Sequence, residues 1–118
     1  MRRFALIVSI AAAAGCHASG GAPACEAVAG RFYALATGEL ATAPAVDPAT
    51  ARAVSDQLPA MRDALKDSCK DNAWSAEVRT CMAGAADHAA MQACETQLTA
   101  AQRAALESAS HGEAAPTP

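Results

Sequence analysis

Four cysteines, Cys25, Cys69, Cys81 and Cys94, each fall on the apolar stripe of a segment with helical periodicity, and this placement constrains the fold more than any other feature. Cys25, Val28, Phe32 and Leu35 recur at i, i+3, i+7 and i+10, which predicts a first helix from Ala24 to near Gly38. Val54, Leu58, Met61, Leu65 and Cys69 hold one face of a second helix that starts at Pro48, with Asp47 as its N-cap. In an antiparallel hairpin, residues equally distant from the turn face each other, and Cys25 and Cys69 are symmetric about Asp47. Cys81 and Cys94 are likewise symmetric about Asp87 and His88. The expected pairs are therefore Cys25 with Cys69 and Cys81 with Cys94, the rival being Cys25 with Cys94 and Cys69 with Cys81.

Composition explains why such cross-links matter. Much of the 53% hydrophobic content is alanine, which favours helix but buries little area, so the core of a 118-residue chain is thin. A small domain with few bulky side chains gains from covalent staples.

The remaining helices follow from their caps. Ser75 opens a third helix from Ala76 to about Ala86, with Val78, Cys81 and Met82 inward and Gly84 weakening its end. A fourth segment opens near Asp87 and carries Met91, Cys94 and Leu98. Thr99 and Gln102 have the spacing of a capping box, so a fifth helix can restart at Ala100 and run to about Ser108. Pro59 removes a hydrogen bond to Ser55, and a kink or a break of the second helix is expected there. Leu40 to Val46 reads as a loop. No strand alternation and no internal repeat occurs, so the expected fold is all-α, a bundle of four to five short helices pinned by two disulfides.

The amino terminus has a different character. Met1, Arg2 and Arg3 precede an apolar run from Phe4 to Ala14 that is too short to span a bilayer and suits the core of a secretory signal. Ala13-Ala14-Gly15-Cys16 resembles the lipobox of bacterial lipoproteins, over about the first 20 residues, although Ala13 stands where that family usually has Leu. The resemblance implies that Cys16 is lipidated and becomes the first residue, and that the chain is anchored to the membrane of the cell envelope. His17, which is not Asp, implies by the same resemblance the outer rather than the inner membrane. The alternative is cleavage after Ala14, which fits the small-x-small pattern of Ala12 and Ala14 and gives a periplasmic or secreted protein. Setting Cys16 apart leaves an even number of cysteines, as an oxidising compartment favours. The expected organisation is a signal peptide over 1–15, a lipidated terminus and flexible tether over 16–23, a helical disulfide domain over 24–109 and a disordered tail over 110–118.

Charge and motifs narrow the function classes. A leader that departs would take Arg2 and Arg3 with it, leaving seven basic residues against twelve acidic ones, and no basic cluster or aromatic platform exists for nucleic acid. The histidines His17, His88 and His111 share no helix, and no Cys-x-x-Cys is present, so neither zinc nor a thioredoxin-like site is signalled. Met82, His88 and Met91 near one turn are soft donors of the kind copper(I) accepts, but methionine at helical spacing ordinarily fills core. No metal or cofactor is therefore expected. Asp63 and Asp67 share a face yet are flanked by Arg62, Lys66 and Lys70, which marks a solvated surface rather than acid–base machinery. No serine has a nucleophile context, so no enzyme is expected.

Trp74 stands before a cap, where it either anchors a partner or packs over a disulfide, and the latter is the reading taken. The set Cys69, Trp74, Cys81, Cys94, Leu98 and Gln102 is also similar to short, alanine-rich exported proteins of GC-rich bacteria, which implies no more than a small helical disulfide module. The function these features suggest is a non-catalytic structural or protein-interaction module of the envelope. The alternative is a soluble exported protein that binds a small apolar ligand or soft metal ion between helices.

Overall fold

A computed structural model describes residues 21–112 of the chain. The leader, Cys16, His17 and most of the tether lie outside the described residues, as does the tail beyond Gly112. The described residues form five α-helices: α1 (Cys25–Thr42), α2 (Pro48–Asp71), α3 (Ala76–Ala83), α4 (His88–Cys94) and α5 (Ala100–Ser110), with a short 3-10 turn, Glu95–Gln97, after α4. No strand occurs among them.

Helices α1 and α2 pack as an antiparallel hairpin, α3 and α4 lie against α1, and α5 lies against α2. Asp47 caps α2 by accepting from the backbone N–H groups of Ala49 and Thr50 at 3.0 and 3.1 Å, with Pro48 at the first helical position. Ser75 caps α3 through Val78 N–H, and Asp87 caps α4 through Ala90 N–H at 2.7 Å. At α5 the capping box is complete, with Gln102 Oε1 accepting from Thr99 N–H at 3.0 Å and Thr99 Oγ1 accepting from Gln102 N–H at 3.1 Å. Gln102 Nε2 also donates to the carbonyl of Asn72 at 2.9 Å, which ties the start of α5 to the end of α2.

Both disulfides pair as the hairpin symmetry predicts. Cys25 joins Cys69 with Cα atoms 5.7 Å apart, and Cys81 joins Cys94 at 5.8 Å. With Val28, Trp74, Val78, Met82, Met91 and Leu98, three of these cysteines form one buried cluster, against which Cys81, Phe32, Leu65 and Leu106 pack.

Several element boundaries differ from the sequence reading, each for a local reason. Helix α1 runs through Gly38 to Thr42, because Gly38 sits inside the helix with open space around it rather than at a C-terminal cap. The stop comes from Pro44, which disfavours helical backbone at the residue before it, and Ala43 is extended with φ −71° and ψ 111°. Only Ala43 to Val46 of the expected loop is therefore loop. Helix α3 ends at Ala83, three residues early, with Gly84 as its C-cap. Helix α5 continues to Ser110, past the expected end, and stops where Gly112 takes φ +66° and its N–H bonds to the Ala109 carbonyl. The expected tail from Ser110 thus begins inside the helix.

Pro59 does not split α2, which is continuous across it. Both Pro59 and Ser55 face solvent, so the carbonyl left without a helical donor is open to water. The expected apolar stripe of α2 is only partly covered: Leu58 and Cys69 are buried, whereas Val54 is 39% and Met61 40% exposed. Its neighbours α1 and α5 shield one flank and leave the other open.

Helix α2 ends in a way no composition rule anticipates. Ala73 adopts φ +46°, its N–H bonds to the Lys70 carbonyl at 3.2 Å, and Trp74 N–H reaches the Cys69 carbonyl at 3.1 Å. This is the double hydrogen bond of a Schellman motif, with Trp74 and Cys69 both buried beside it, but with alanine where glycine is usual. A Cβ at positive φ costs about 1–2 kcal/mol, against which glycine loses about 0.5–1 kcal/mol in unfolded-state entropy. Ala73→Gly is therefore expected to raise stability by about 0.5–1 kcal/mol in urea unfolding, and a loss would contradict this account of the cap.

Candidate functional site

Three arginines organise the ends of the helices. Arg31 on α1 donates from Nε to the Ala85 carbonyl at 2.7 Å and from a terminal nitrogen to that of Ala86 at 3.2 Å, clamping the turn between α3 and α4. Arg79 donates to the Pro23 carbonyl at 3.0 Å and so fixes the chain just ahead of α1. Arg103 donates to the Leu98 carbonyl at 3.3 Å. None was identified from the sequence, because an arginine that serves backbone carbonyls has no spacing signature.

With the α3–α4 turn held, Asp87 starts α4 so that His88 is its first residue. The His88 ring packs near Phe32 of α1, with centroids 6.4 Å apart and planes tilted by 52°. His88 forms part of the wall of a cleft of about 570 Å³ bounded by α2, α4 and α5. Met82 and Met91, which are 2% and 5% exposed, also line it. Met61 of α2 and His111, the C-cap of α5, complete its set of sulfur and imidazole side chains. His111, which the expected tail would include, is the C-cap of the longer α5 and lines the cleft that holds His88.

The uncharged polar side chains in the cleft are those of Gln57, Gln92 and Ser110 beside the two histidines. His88 Nδ1 is enclosed and has no hydrogen-bond partner. Glu95, Arg103 and Glu107 are the charged residues around it. Among the described residues, no group of three or more His, Cys, Asp or Glu side chains is placed to hold a metal ion. Two thioethers and an imidazole can donate electron pairs to a soft ion or contact an apolar ligand.

The other candidates separate from this site. Asp63 pairs with Arg62 at 3.0 Å and Lys66 at 3.8 Å on the surface, and Arg62 stacks over Tyr33 at 5.5 Å, so the carboxylates belong to a charged face. Glu26 pairs with Lys70 next to the Cys25–Cys69 disulfide. That contact holds the Glu26 carboxyl below its ordinary pKa and raises that of Lys70. The Asp47 carboxyl is likewise lowered, by the Thr50 hydroxyl and backbone that it caps. Trp74 is buried in the cluster that contains Cys25, Cys69 and Cys94. No helix among the described residues is long and apolar enough to cross a membrane.

Among the described residues, the fold and cross-links define a disulfide-stapled, all-α domain with an open cleft between α2, α4 and α5. No protein-family model, curated protein or solved structure matches the chain.

Proposed function

We propose that this chain is a lipoprotein of the bacterial cell envelope, anchored at Cys16, whose helical domain is a non-catalytic binding module. The observation that carries the reading is the use of Cys25, Cys69, Cys81 and Cys94 in two disulfides. Such cross-links persist in oxidising compartments, and their closure leaves Cys16 as the single cysteine with a separate job behind an apolar leader. His17 in the following position favours the outer membrane over the inner. The cleft between α2, α4 and α5 is the natural contact surface for an envelope protein partner, and the domain has no use for nucleic acid.

A second reading is favoured by the same cleft: a soluble periplasmic or secreted protein that takes a small apolar ligand or soft ion between its helices. The intact mass of protein extracted from membranes separates the two. A chain that begins at Cys16 and carries diacylglycerol is the expected result, and a chain that begins at Gly15 would replace the anchor with ordinary export.

A further inference from the structure

Every methionine and every histidine among the described residues lines the cleft between α2, α4 and α5: Met61, Met82, Met91, His88 and His111. They come from α2, α3, α4 and the end of α5, so helical periodicity within any one element does not account for their meeting. Methionine as ordinary core filler explains the burial of Met82 and Met91. It does not explain His88, whose Nδ1 is enclosed without a partner; Ser68 Oγ, Trp74 Nε1 and Arg79 Nε share that condition, but of the four residues only His88 lines the cleft.

We propose that Met82, His88 and Met91 form a binding site for a soft monovalent cation, copper(I) or its redox-inert analogue silver(I). Thioether sulfur and imidazole nitrogen are neutral donors matched to such ions, and hard divalent ions lack the carboxylate cluster they need here. The choice of sulfur fits an exported protein, because its four domain cysteines are consumed in disulfides and thioethers do not pair by oxidation. Charge favours the same sign of ligand: Glu95 and Glu107 stand around the cleft against Arg103, one of whose terminal nitrogens is engaged by the Leu98 carbonyl. Met61, half open at the surface, and His111 line the same cleft from the α2 and α5 sides.

The site rests on the cleft being the binding surface and is independent of the anchor at Cys16. The test uses the full chain with Cys16→Ser, so that no thiol competes, titrated with Ag(I) without reductant and followed by native mass spectrometry and calorimetry. A single retained Ag(I) is expected, with affinity weakened about tenfold or more in both His88→Gln and Met91→Leu. In the otherwise unaltered Cys16→Ser chain, the methyl resonances of Met82 and Met91 should shift on binding, a readout that does not require any cleft variant to fold. Failure to retain Ag(I), equal retention by the two variants, or unmoved methyl resonances would each overturn the site. Because the membrane-extracted mass reads only the amino terminus, a failed cleft and a failed anchor give different results.

Discussion

Replacing Cys25 and Cys69 together by serine is expected to destabilise the domain by about 4 kcal/mol. The bridge closes a loop of 44 residues, and in the chain-entropy description a cross-link of that span removes about 4 kcal/mol of freedom from the unfolded chain at 25 °C. The Cys81–Cys94 bridge spans 13 residues and is worth about 3 kcal/mol by the same relation. A small domain has only about 5–15 kcal/mol in total, and this one draws its core from a handful of bulky side chains between alanine-rich helices. Loss of both bridges is therefore expected to leave the chain unfolded at 37 °C. Urea unfolding followed by far-UV circular dichroism measures the single losses, and full reduction measures the combined one. A reduced chain that keeps its helices and a sharp transition would show that packing alone suffices and would remove the reason for the four cysteines.

The two cross-links also explain which parts of the fold are readable without coordinates. Pairing followed from symmetry about two turns, and both turns are marked by strong local chemistry, Asp47-Pro48 and Asp87. The capping box at Thr99 and Gln102 is equally local, so the restart of α5 could be anticipated. Where the reading went astray, a residue's meaning depended on where the helix already was. Gly38 terminates nothing because the helix passes through it, and Gly112 terminates α5 because the chain has reached a C-terminal cap. Ala73 carries no signal for positive φ; the burial of Trp74 against the end of α2 imposes it. The exposure of Val54 and Met61 depended on how far α5 extends over α2, which is a property of the assembled bundle.

The candidate site divides in the same way. Met82, His88 and Met91 are close in sequence, so their grouping was visible, but the approach of Met61 and His111 was not. Both arrive by tertiary packing, His111 through an α5 longer than its composition suggested. The arginine clamps at Arg31 and Arg79 were invisible for the opposite reason. Their partners are backbone carbonyls more than fifty residues away, and backbone carries no sequence identity.

Trp74 is where the cap, the core and the cross-links meet, and Trp74→Ala is expected to cost about 3–5 kcal/mol. Its side chain is 3% exposed and belongs to the buried cluster that includes Cys25, Cys69 and Cys94, so truncation would leave a cavity bordered by groups that the disulfides hold in place. Covalently fixed walls relax little, which puts the expected cost toward the upper end of that range. Trp74→Phe keeps most of the ring and removes the indole Nε1–H, which is buried without a partner. Its cost is therefore expected to be roughly half or less of the alanine value. Far-UV circular dichroism under urea is the suitable probe, since Trp74 is the only tryptophan and its loss abolishes tryptophan fluorescence. A Trp74→Ala domain within about 1 kcal/mol of the original would mean that the disulfides alone hold the end of α2, and that Trp74 is free for a role other than packing.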